Sequence, residues 1–115
     1  MDFIQTFGYD IAHGKAAEYQ QWLAANEDAW KAAMPEGTRY IGTYAAVYST
    51  EKEAGSFFTI YQFDSYAAQD RLAEAGKSGE FARIMGEAMS FGDFDKGAGW
   101  SQFLLKNVND ATVWG

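Results

Sequence analysis

This chain sets few chemically competent polar groups among many aromatic rings. His13 is the sole histidine in 115 residues. Imidazole is the only side chain whose ordinary pKa lies near neutrality, so His13 is the first candidate for general acid or base work. It stands where a strand pattern gives way to a helical one, a position that suits either a pocket mouth or a plain exposed loop. Trp22, Asn26 and Trp30 recur at every fourth residue, which puts them on one helix face with Tyr19 and Leu23 beside them. An amide between two indoles has two readings: it bonds to backbone or another side chain, or it faces a cavity where ligand or water satisfies it. Aromatic stripes at this spacing also build ordinary cores. Tyr40, Tyr44 and Tyr48 fall on one face of a strand pattern, where an apolar ring with a polar tip suits a pocket wall or a subunit contact equally.

Other chemistries are excluded or unsupported. The chain has no cysteine, so disulfides, thiolate metal sites and cysteine nucleophiles do not arise. Its glycines match neither a Walker loop nor a dinucleotide fingerprint. Glu87, Asp93 and Asp95 lack the spacing of a calcium loop and read as a solvated helix end and loop. The expectation is therefore no metal and no cofactor. Nine basic against sixteen acidic side chains leave a net charge of -7, which repels nucleic-acid phosphates and anionic lipid head groups. No stretch approaches the roughly 20 apolar residues of a spanning helix, and the first residues show no basic segment before an apolar run. A cytoplasmic protein is the expectation.

The elements that must position these residues follow from periodicity. A content of 48% hydrophobic and 17% aromatic residues is too apolar for a disordered chain. Alternation from Phe3 to Ile11 predicts a strand. A spacing of three and four from Ala16 to Ala33 predicts an amphipathic helix ending near Met34-Pro35-Glu36-Gly37. Thr38 to Thr50 and Ser56 to Asp64 read as strands joined by the hairpin Glu51 to Gly55. Asp64 or Ser65 is placed to cap a second helical region, broken at Gly76-Lys77-Ser78-Gly79 and resumed through Phe81, Ile84, Met85, Ala88 and Met89. Trp100 to Val108 is the last strand. One domain spanning 1–115 accommodates all of this.

The order strand, helix, strand, strand, helix, strand is the split βαββαβ arrangement of α+β ferredoxin-like domains, a four-stranded antiparallel sheet with helices on one face. Both faces of the middle strands are apolar: Phe58 and Ile60 oppose Phe57, Tyr61 and Phe63. Helices cover one side only, so a second copy of the chain is expected to cover the other, giving a homodimer joined through its sheet faces.

Element order and two-sided apolar strands resemble the dimeric α+β barrel superfamily, which includes NIPSNAP-like proteins, cofactor-independent antibiotic-biosynthesis-type monooxygenases and haem-degrading enzymes. The resemblance implies a ligand pocket between the sheet and its own helices. It speaks against haem, because haem-binding members use a histidine on the second helical region, where this chain has Arg83, Met85 and Met89. In the cofactor-independent monooxygenases, Asn, Trp and Tyr-type residues surround an aromatic substrate that supplies its own electrons to oxygen. By that resemblance His13 and Asn26 would orient or deprotonate a phenol-like substrate, with Tyr19, Trp22, Trp30 and Tyr44 packing on its rings. The expectation is a homodimer binding a small aromatic molecule as a cofactor-independent monooxygenase or isomerase. The alternative is a non-catalytic structural or interaction dimer.

Overall fold

The computed structural model describes residues 3–48, 57–93 and 100–108. Strands β1 (Phe3–Tyr9), β2 (Thr38–Ala45), β3 (Phe57–Phe63) and β4 (Trp100–Lys106) alternate with helices α1 (Ala16–Ala32), α2 (Ala68–Ala75) and α3 (Gly79–Met89). The strands form one sheet in the order β2-β3-β1-β4, and each neighbouring pair is antiparallel. This is the α+β ferredoxin-like arrangement expected from the pattern. The hairpin Glu51 to Gly55 and the carboxylate Asp95 lie outside the described residues.

Local chemistry explains the boundaries. β1 stops at Tyr9 rather than Ile11, because the chain leaves the sheet to pair with the end of α3: Ile11 bridges Gly92 and the Ala12 N–H donates to the Phe91 carbonyl at 2.8 Å. Gly37, at a φ of 84°, makes the left-handed turn from α1 into β2 that a side chain would resist. The helical region after β3 does break where its glycines and serine fall, giving α2 and α3. Neither Asp64 nor Ser65 caps it. The N-cap position is Ala67, with no side-chain cap bond, because an intervening turn (the Ala68 N–H bonds the Ser65 carbonyl) separates both residues from the helix start.

Strand alternation sorts the sheet into two faces. Phe3, Gln5 and Tyr9 on β1 and Thr59, Tyr61 and Phe63 on β3 are buried toward the helices. There they meet Tyr19 and Trp30 of α1, Leu72 of α2 and Phe81 and Ile84 of α3 in one core. On β2 the alternation is interrupted. The register shifts between Tyr40 and Gly42, a bulge that inserts one residue and reverses the faces beyond it. Tyr40 is therefore buried at 4% exposure while Tyr44 lies on the outer face at 54%. The expectation that Tyr40, Tyr44 and Tyr48 share a face is corrected accordingly.

Candidate functional site

Between the inner face of the sheet and the helices lies a cavity of about 490 Å³. Its deep wall is made of the buried rings Tyr19, Trp30 and Tyr61. Its rim is drawn from exposed positions on three elements, Asp70 and Ala73 on α2, Met89 on α3 and Gln102 on β4. Each element contributes a particular chemistry. α1 supplies rings because its buried stripe is aromatic, α3 supplies Met85 and Ala88, and the strands supply rings with polar tips.

The polar atoms of this wall are held in place. The Gln5 carboxamide, 1% exposed, donates to the Phe103 carbonyl and accepts from Gln69 Nε2, both at 2.9 Å. The Trp30 indole N–H donates to Tyr61 Oη at 3.1 Å. Trp30 also stacks on Tyr40, with ring centroids 4.4 Å apart. Leaving such a buried donor unpaired costs about 1–3 kcal/mol, so Tyr61 fixes the indole plane.

A line of hydroxyls crosses the same wall. Tyr19 Oη lies 2.5 Å from Tyr9 Oη, which lies 2.8 Å from Thr59 Oγ1. Thr59 Oγ1 lies 3.0 Å from Thr43 Oγ1, and Thr43 Oγ1 lies 2.8 Å from Tyr40 Oη. Tyr40 donates to a carboxylate oxygen of Glu27 at 2.8 Å. Tyr9, Tyr19 and Thr59 all line the cavity. Burial pushes the phenols of Tyr9, Tyr19, Tyr40 and Tyr61 above their ordinary range, since loss of water penalises the phenolate. All four therefore keep their protons at neutral pH and act as hydrogen-bonding groups rather than bases.

The residues singled out from the sequence divide between cavity and surroundings. Tyr19 and Trp30 line it. Trp22 stands one layer behind: its ring lies nearly parallel to Tyr19 at 6.0 Å, and its N–H donates to Glu87 at 2.9 Å. That bond and the guanidinium of Arg83 hold the Glu87 carboxyl below its ordinary range. Asn26 resolves its two readings through backbone, since its amide donates to the Trp22 carbonyl one turn back at 2.8 Å. His13 is exposed in the loop between β1 and α1, and Tyr44 is on the far side of the sheet. None of these four lines the cavity. Tyr9, Thr59, Tyr61 and Gln5 do, and sequence reading passed over them. Their signal was present in the polar tips set at alternate positions of otherwise apolar strands. No cluster of three or more metal-ligating side chains occurs among the described residues, and no described helix is long and apolar enough to cross a membrane.

No family model and no curated protein sequence matches this chain. Solved structures do. A NIPSNAP family protein from Agrobacterium tumefaciens superimposes with a TM-score of 0.67 at 12% identity, over 97% of this chain and 90% of that one. A NIPSNAP-like domain protein from Burkholderia xenovorans gives 0.66 at 13%, over 95% and 87%. SnoaB, a cofactor-independent oxygenase from Streptomyces nogalater, gives 0.56 at 15%, over 94% of each chain. At these identities the likeness establishes a shared fold, in agreement with the resemblance drawn from element order.

Proposed function

We propose that this protein binds a small, flat aromatic molecule between its sheet and helices, acting as a homodimer of single-domain subunits, and that the chemistry it supports is cofactor-independent monooxygenation or isomerisation. The observation that carries the reading is the cavity. Its volume of about 490 Å³ falls within the roughly 300–1,000 Å³ of small-molecule sites, which are typically apolar with a few placed polar groups. A core that served packing alone would close to near-crystalline density. The oxygenase activity belongs to SnoaB and supports the reaction class for this chain through likeness of fold.

In this reading Tyr19 and Trp30 pack on the ligand's rings, as the sequence led us to expect. Tyr9 and Thr59 take the polar role first given to His13 and Asn26, which stand outside the cavity. Trp22 supports Tyr19 from behind. The outer sheet face, which carries Tyr44, is the surface through which two copies would join.

The test is a titration with naphthols and hydroxyanthraquinones, followed by tryptophan fluorescence and thermal melting. Trp30 in the cavity wall makes quenching a direct reporter. The expected result is saturable quenching with a raised Tm for at least one compound, both lost in Ala88→Phe, which fills the cavity from α3. Failure of every compound to bind saturably would favour the non-catalytic structural dimer.

A further inference from the structure

We propose that Asp70, at the mouth of the cavity, selects the ligand by charge: the site takes an aromatic body carrying a short protonated amine arm and disfavours the corresponding carboxylate. The inference rests on the reading above, that the cavity is a ligand site, and names the class of ligand that the site prefers.

The polar groups that line the cavity fall into two sets. Those of the deep wall are bonded within the protein. Gln5 is held by the Phe103 carbonyl and by Gln69, Tyr61 accepts from Trp30, and Tyr9 is bonded to both Tyr19 and Thr59. A polar substituent placed there has to compete for atoms that already have partners. The rim differs. Asp70 on α2 and Gln102 on β4 both line the cavity and are both exposed, so an entering molecule meets them first. Among the described residues neither side chain has a hydrogen-bond or ion-pair partner. A ring that fills the deep end therefore keeps its polar arm at the mouth, where water and uncommitted side chains satisfy it, because an arm buried unpaired would lose both.

Asp70 gives this mouth its sign. It is the one charged side chain among the described residues that line the cavity. The cations of α2, α3 and the link between them are already held by other carboxylates: Arg71 by Asp64, Lys77 by Glu74, and Arg83 by Glu80 and Glu87. A carboxylate arriving at the rim meets a like charge on α2 and no uncommitted cation on either helix, whereas an ammonium group meets an opposite charge. Asp70 also lies in the first turn of α2, where an acid favours the positive end of the helix dipole. That second role is indifferent to the charge of the ligand, so a series of ligands differing only in charge separates the two.

The experiment compares 2-naphthylmethylamine, 2-naphthalenemethanol and 2-naphthoate, which share one ring system and are cationic, uncharged and anionic at neutral pH. Binding is followed by tryptophan fluorescence in the wild type, Asp70→Asn, Asp70→Glu and Asp70→Lys. An exposed charge pair contributes up to about fivefold in affinity, and repulsion of a like charge about as much, so the wild type should favour the amine over naphthoate roughly tenfold, with the alcohol between. Raising the salt from about 20 mM to about 1 M should shrink that ratio. Asp70→Asn should bring it to within about threefold, Asp70→Glu should keep it, and Asp70→Lys should put naphthoate ahead. Using a ratio cancels any loss of helix stability in the variants, and the salt dependence gives an independent answer from the wild type alone. A wild-type ratio near one, a ratio unmoved by salt, or one unchanged in Asp70→Asn would overturn the role of Asp70 while leaving the ligand site standing. If none of these ligands binds the wild type, the ligand site itself falls and this inference with it.

Discussion

Along β3, successive residues belong to two different surfaces. Thr59, Tyr61 and Phe63 are buried beneath the helices, whereas Phe58 and Ile60 between them face the other way and are only partly covered. The outer surface continues across β4 with Phe103 at 59% exposure and Leu105 at 51%, and across β2 with Tyr44. Both faces are apolar, yet they differ in one respect. On the inner face, rings are interleaved with hydroxyls and carboxamides that bond to one another around an open volume. On the outer face, the side chains of Ile4, Phe58, Ile60, Phe103 and Leu105 supply most of the surface, with Thr6, Gln62 and Ser101 among them by strand register. A surface of the first kind suits a ligand of defined polarity, and one of the second kind suits a large apolar cover such as a second copy of the chain.

The sharpest break between the faces should come at alkaline pH. Tyr9, Tyr19, Tyr40 and Tyr61 on the inner side all have phenols raised above the ordinary value of 10.0. A raised pKa contributes stability that is fully present below the unfolded value and is lost as pH climbs toward the folded one. Above pH 10 the unfolding free energy should therefore fall by up to about 1.4 kcal/mol per pH unit for each of the four. Urea unfolding at about pH 9 and 11, with tyrosinate absorbance recorded alongside, checks this. Ionisation of these phenols in a still-folded chain would contradict it.

A smaller effect should follow from charging the other face. Phe103→Asp would place a carboxylate in the middle of the proposed dimer contact, where an unpaired buried charge costs about 3–5 kcal/mol. Sedimentation equilibrium should show a dimer for the wild type and at least a hundredfold weaker self-association for the variant, with ligand affinity kept. A monomeric wild type would remove the dimer from the account.

Much of this division was legible in the sequence, because strand and helix periods are local properties. They gave the element order, the break between α2 and α3, the apolar character of both sheet faces, and Tyr19 and Trp30 as inward rings. What escaped depends on register and on hydrogen bonds that periodicity does not encode. One extra residue in β2 moved Tyr44 to the opposite side from Tyr40. Asn26 found its partner within its own helix, and a pattern of types cannot tell that from a cavity-facing amide. The hydroxyl line joins β1, β2, β3 and α1, with Tyr9 and Thr59 fifty positions apart. Only the pairing of β1 with β3 brings them together.

The central claim is that the two faces divide the work, with ligand held on the inner side. The most direct measurement is an amide and side-chain NMR titration of the protein with a binding naphthol. The account predicts saturable shifts in the Trp30 indole and the Gln5 and Gln69 carboxamides, with the amides of Ile4, Ile60 and Leu105 little changed. Shifts confined to those outer-face residues, with Trp30 and Gln5 unmoved, would contradict it.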